Sequence, residues 1–167
     1  GITANERMDW LLEKATELGA STLLPITAER SVLKLKGERS DKKLAHWQAI
    51  AVAASEQCGR NRVLQVATPL TLSQAIAASA PQSNGTRWIL SLADGTKSLQ
   101  EALQALPPQT PGQVQQVTVL SGPEGGLSPA EEAEALAAGF LPVSLGQRVL
   151  RAETAPVAVL SALGLLT

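Results

Sequence analysis

The apolar positions along this chain follow two rhythms. Met8, Leu11, Leu12, Ala15 and Leu18 recur at the three- and four-residue steps of one helical face, with Thr3-Ala4-Asn5-Glu6 in front as a capping segment and Gly19 behind as a stop. Leu44, Trp47, Ile50, Ala51, Ala54 and Cys58 repeat that spacing, which predicts a long helix from a Ser40 cap to Cys58. Residues 22–26 are a short apolar run ended near Pro25 and are read as a strand, while 31–35 alternates weakly, as strand or loop. Residues 63–66, 88–92, 117–121 and 141–145 are further predicted strands. Thr71-Leu-Ser-Gln74, Ser98-Leu-Gln-Glu101 and Ser128-Pro-Ala-Glu131 read as capping boxes, the last with proline at the first helical position. They open a short helix, a helix to about residue 106 and a helix ended by Gly139. Residues 81–85 read as a loop and 107–112 as a spacer with two prolines. A final helix begins near Thr154 and runs to the terminus.

Strands and helices alternate, so the expected fold is α/β, a largely parallel sheet flanked by helices on both faces. The last helix carries Val157, Val159, Leu160, Leu163, Leu165 and Leu166 around most of its circumference. It requires cover on more than one side, from the domain or from a second subunit. The 167 residues suit one domain with a single sizeable core.

Charge alters this picture locally rather than globally. The net charge of −1 advertises no nucleic-acid partner, yet Arg30, Lys34, Lys36, Arg39, Lys42 and Lys43 crowd one segment against only Glu38 and Asp41. That segment can face phosphate or simply solvent. With one Phe, three Trp and no Tyr, the chain is poorly equipped to read single strands by stacking. Cys58 is the only cysteine and His46 the only histidine, which excludes an intramolecular disulfide and a Cys/His metal cluster. His46 is assigned to the surface and Cys58 to the core. The apolar stretch 155–166 is too short to span a membrane, and no secretory pattern is present, so the expectation is a soluble cytoplasmic protein without metal.

Two loops stand out. Gly122-Pro-Glu-Gly-Gly126 and Leu145-Gly-Gln-Arg-Val-Leu-Arg-Ala-Glu-Thr-Ala155 each follow an apolar run and lead towards a helix, the place where open α/β sheets bind ligands. After Glu134 the only ionisable side chains are Arg148, Arg151 and Glu153, all in the second loop. The first loop is neither a P-loop nor a dinucleotide fingerprint. It reads either as a tight turn or as a turn that lets Glu124 approach a ligand, and the second as a surface turn with an ion pair or as part of a site. Glycine-rich backbone offering uncharged N–H and C=O groups suits an adenine ring better than phosphate.

With Arg7-Met-Asp-Trp-Leu-Leu-Glu-Lys-Ala-Thr-Glu-Leu-Gly19, Thr27-Ala-Glu-Arg-Ser31 and Ser55-Glu-Gln-Cys-Gly-Arg60, these loops complete five motifs that resemble, in order, those of the small-subunit (16S) ribosomal RNA uridine-N3 methyltransferases of the SPOUT class. The resemblance implies an α/β fold with a carboxyl-terminal trefoil knot, S-adenosylmethionine as cofactor, a homodimer packed partly through the last helix, and no metal. It implies that Leu92, Gly122, Glu124, Gly125, Gly126, Leu145, Gly146, Leu150, Thr154 and Ala155 form the cofactor pocket. Arg7, Arg148, Arg151 and Glu153 are then catalytic candidates, and Arg30, Lys34, Glu56, Gln57 and Arg60 would lie near RNA. The base stays open between Glu153 and Glu56. The family's amino-terminal PUA-like RNA-binding domain has no counterpart in the 1–167 sequence, which corresponds to the methyltransferase domain. A SPOUT enzyme acting on a ribose 2'-oxygen and a non-catalytic nucleotide- or RNA-binding module are the alternatives.

Overall fold

The computed structural model describes residues 1–31, 37–79, 85–108 and 115–165. Helix α1 (Asn5–Glu17) is followed by strands β1 (Thr22–Leu23) and β2 (Ile26–Thr27), helix α2 (Glu38–Cys58), strands β3 (Gln65–Val66) and β4 (Leu70–Thr71), and helix α3 (Leu72–Ala78). The second half runs β5 (Gly85–Leu90), β6 (Lys97–Ser98), α4 (Leu99–Gln104), β7 (Gln116–Leu120), α5 (Pro129–Ala137), β8 (Leu141–Ser144) and α6 (Thr154–Gly164).

Among the described residues every strand pairing is parallel, as alternation predicts. The strands of the described residues form three hydrogen-bonded sheets, β1-β3, β2-β4 and β6-β8-β5-β7, where one largely parallel sheet was expected. The difference arises at Leu24 and Pro25, where the run 22–26 breaks and its two halves pair with different neighbours. In the four-stranded sheet β5 is interior, and its period-two alternation sends Trp88 and Ile89 to opposite faces. Ile89 joins Ile26, Leu72, Ala75, Leu120, Ala135 and Phe140, under α3 and α5. Trp88 joins Ala102, Val143 and Val159, under α4 and α6. A third cluster, built on Met8, Leu12, Trp47, Ala51 and Leu64, holds α1 against α2. β8 is the last strand in the chain yet lies between β6 and β5, an interior placement consistent with a threaded carboxyl-terminal segment.

Helix α6 meets its predicted need for cover largely within the chain. Val157 and Leu160 pack on the α1–α2 cluster, and Val159 and Leu163 pack on the sheet. Leu165 remains 87% exposed.

Three capping boxes, at Thr71, Ser98 and Ser128, form with both reciprocal bonds, because each places an acidic or amide side chain three residues beyond the cap. The expected caps at Thr3 and Ser40 do not. Helix α1 starts after Ala4, which has no side-chain cap, and Thr3 is buried. Helix α2 starts two residues before Ser40, after Gly37, whose φ of 54° is open to glycine. Cys58 is exposed, not in the core, since it occupies the last turn of α2 beyond the end of the packed stripe. His46 is exposed as expected and bridges to Asp9 of α1 at 2.9 Å. β4 and β6 are two-residue strands without a legible apolar run, and Leu92 lies beyond β5 rather than in it. Parts of the segments 31–35, 81–85 and 107–112 lie outside the described residues.

Leu12 is fully buried in the α1–α2 cluster, so Leu12→Ala is expected to lower stability by about 2–5 kcal/mol. Cys58→Ala is expected to change it by less than about 0.5 kcal/mol. Urea denaturation of the two variants checks both values.

Candidate functional site

Register brings the two glycine loops to one edge. Ile89 lies opposite Leu120 and Leu90 opposite Val143, so β5, β7 and β8 end at nearly the same level. The positions just beyond them, Leu92, Gly122 and Leu145, therefore share the carboxyl edge of the sheet. β5 stands between the other two, and the chain crosses over it in both directions. That is the switch point at which an open parallel sheet leaves a crevice.

The first loop is a compact turn. The Gly126 N–H donates to the Pro123 carbonyl at 2.8 Å, and Gly126 has a φ of 70°. A Cβ on Gly122 would stand 2.9 Å from the Leu127 nitrogen, so the loop closes on itself only with glycine there. Glu124, at the middle of the turn, accepts the Ala4 N–H at 2.7 Å and Arg7 Nη1 at 3.2 Å. The uncapped start of α1 is thus capped from a loop 120 residues away in sequence. The Gly1 amino group donates to the Ser121 carbonyl beside it. Arg30 donates to the Gly125 carbonyl at 3.1 Å, and a Cβ on Gly125 would meet Arg30 Cβ at 3.0 Å.

In the second loop Gly146 has a φ of 99°, with nothing near the missing side chain. Its N–H donates to Ser144 Oγ at 3.2 Å. The Arg151 carbonyl accepts from the N–H groups of Thr154 and Ala155, which turns the chain into α6. Glu153 is 8% exposed, and one of its carboxylate oxygens lies 3.9 Å from Arg7 Nε. Arg7 therefore joins both loops to α1. Arg148 and Arg151 are exposed and have no ion pair among the described residues. Leu150 is half-buried.

The remaining candidates lie elsewhere. Helices α1 and α2 run in the same direction, since Asp9 meets His46 and the Arg60 guanidinium reaches the far end of α1. Arg60 Nη1 donates to the carbonyls of Thr16 at 2.6 Å and Ala20 at 3.0 Å, closing the end of that helix. Thr16 is nine residues beyond Arg7, about 13 Å along the axis. Glu56 and Gln57 are exposed at this distant end of α2, apart from the loops. The opposite end, carrying Arg39, Lys42 and Lys43, lies on the side of Arg7 and the loops. Lys34 lies outside the described residues. Two participants carry no sequence signal: Ser91, buried just beyond β5 and bonded to Glu132 of α5, and Ala4 as a backbone donor. Among the described residues no group of three or more His, Cys, Asp or Glu side chains is placed to hold a metal, and no helix is long and apolar enough to cross a membrane.

Burial alone would raise the Glu124 pKa, but the N–H groups of Ala4 and Glu124 itself and the Arg7 guanidinium outweigh it and hold the group below its ordinary 4.5. A depressed carboxylate contributes stability that is present above its ordinary pKa and lost as pH falls through the depressed one. Glu124→Gln is therefore expected to be less stable than wild type at neutral pH, the gap closing as pH falls below the ordinary 4.5. Thermal unfolding of the pair across that range measures it.

Residues 1–164 match a family model described as an RNA methyltransferase domain. The chain is 32% identical over 164 residues to the ribosomal RNA small subunit methyltransferase E of Bacillus subtilis, covering 98% of itself and 62% of that protein. A methyltransferase of Legionella pneumophila, solved with bound S-adenosylmethionine, superposes with a TM-score of 0.85 at 35% identity, over 99% of this chain and 63% of that one. The Neisseria gonorrhoeae ribosomal RNA small subunit methyltransferase E bound to S-adenosyl methionine gives 0.83 and 35%, with the same coverage. The chain thus spans a little over three fifths of the length of these proteins. The match over 1–164, together with a parallel α/β fold whose glycine loops meet at one sheet edge, makes this chain a member of the RNA methyltransferase domain family.

Proposed function

We propose that this chain is the methyltransferase domain of an S-adenosylmethionine-dependent enzyme that methylates N3 of a uridine in small-subunit ribosomal RNA. The observation that carries the reading is the convergence of the two glycine loops at the aligned ends of β5, β7 and β8. The relatives solved with S-adenosylmethionine support it.

The residues present fit that cofactor. Gly126 and Gly146 leave open space where side chains would stand, and one oxygen each of Glu124 and Glu153 is buried without a hydrogen-bond partner. Leu92, Gly122, Gly125, Leu145, Leu150, Thr154 and Ala155 would hold the adenosine through backbone groups and apolar contact, with Glu124 fixed beside them by Ala4 and Arg7. When bound, the cofactor supplies an electrophilic sulfonium methyl.

The chain's own work is orientation and charge placement. Arg148 and Arg151 are exposed on the second loop and uncommitted among the described residues, so they can meet a uracil oxygen as negative charge grows there, or a phosphate. Glu153 stands at the loops and Glu56 at the far end of α2, which makes Glu153 the better-placed carboxylate to receive the imide proton. The end of α2, where Arg39, Lys42 and Lys43 outnumber Glu38 and Asp41, offers a weakly basic surface on the same side as the loops. Arg30 borders it while holding Gly125, whereas Arg60 serves the end of α1. In this reading a PUA-like amino-terminal domain of the longer protein holds RNA beside this surface, the assembly is a cytoplasmic homodimer, and exposed Leu165 belongs to its contact.

Calorimetric titration with S-adenosylmethionine should give saturable binding to wild type, weakened at least about tenfold by Gly146→Val, because valine is strained at that φ. Absence of binding to folded wild type would overturn the reading. For the longer protein, nucleoside mass spectrometry of treated small-subunit RNA should show 3-methyluridine, lost in Arg151→Ala. A ribose-methylated product would move the target to the 2'-oxygen, and no methylation would favour a binding module.

A further inference from the structure

The acidic cluster at the joint edge is incompletely neutralised. Glu124 and Glu153 come from different loops and share one cation, with Arg7 Nη1 at 3.2 Å from the first and Arg7 Nε at 3.9 Å from the second. Each carboxylate leaves its other oxygen, Oε2, buried and without a hydrogen-bond partner. An acceptor in that condition retains the cost of its lost hydration, and a carboxylate more so than a neutral group. Other basic side chains around the site do not meet this demand. Arg30 donates to the Gly125 carbonyl, Arg60 serves the far end of α1, and Arg148 and Arg151 form no ion pair among the described residues. Glu124 is held ionised by its three donors despite its burial.

We propose that the Glu124–Arg7–Glu153 cluster selects its ligand by charge, the surplus negative charge of its two carboxylates, each with one buried oxygen left unpaired, favouring the cationic methyl donor over its uncharged demethylated product. The inference rests on the S-adenosylmethionine reading above. With sulfonium, ammonium and carboxylate groups, the donor carries one net positive charge, whereas S-adenosylhomocysteine carries none. In the transfer, the C–S electron pair would stay on sulfur while N3 bonds to the methyl carbon with the pair freed as its imide proton passes to Glu153. The charge that the cluster had attracted is thereby cancelled at sulfur, so the chemistry itself weakens the hold on the spent cofactor. Arg7 acts as a positioning residue, since it touches both carboxylates and keeps them at one place without neutralising both.

The test is titration of this chain with S-adenosylmethionine and, separately, with S-adenosylhomocysteine, on wild type, Glu153→Gln and Glu124→Gln. Glutamine preserves shape and, at 124, an acceptor for the Ala4 N–H. Thermal unfolding confirms that each variant is folded, and Glu124→Gln carries the test if Glu153→Gln is not. The expected result is a drop of about five- to twentyfold in the preference for donor over product, produced by weaker donor binding while product affinity stays within about twofold. Equal weakening of both ligands, or an unchanged preference in folded variants, overturns charge selection and leaves the methyltransferase reading standing. Failure of wild type to bind either ligand overturns both.

Discussion

The hydrogen bond from the Ala4 N–H to the Glu124 carboxylate is the contact on which the site depends. A helix presents unpaired N–H groups at its start, and α1 carries no side chain of its own in position to receive them. Glu124 supplies the acceptor from a loop 120 residues away, and Arg7, in the first turn of the helix, adds charge to the same carboxylate. Helix and loop therefore settle each other. The glycines around Glu124 allow the tight turn that aims it, and the reach of Arg7 to Glu153 extends the arrangement to the second loop.

Everything else in the fold brings those loops into range. Parallel pairing in register levels the ends of β5, β7 and β8, and the two faces of β5 give α3 and α5 one core and α4 and α6 another. Helix α6 links the sheet to the α1–α2 cluster through Val157 and Leu160, so the segment just after the second loop is anchored on both sides. A loop flanked by such anchors can carry exposed arginines without losing its place.

Local patterns were legible from the sequence where a single element sets its own structure. The three capping boxes, the stripe of α1, the four apolar strands and the glycine loops follow from spacing within a few residues. What depends on distant partners was not legible. Thr3 and Ser40 look like caps but the helices start elsewhere, because Glu124 serves one start and Gly37 forms the other. Cys58 continues the apolar stripe in sequence after the partner helix has ended. The five motifs gave the candidate residues, but only the parallel run of α1 and α2 separates Arg60, Glu56 and Gln57 from the loops and leaves Arg7, Arg30, Glu124 and Glu153 together.

Cofactor bound between the two loops at the sheet edge would shield the backbone amides of both. Hydrogen exchange with and without S-adenosylmethionine measures this, and slower exchange on binding is expected in residues 121–127 and 145–155, with little change at the end of α2 near Glu56. Protection confined to other parts of the chain, with both loops unchanged at saturating cofactor, would overturn that placement.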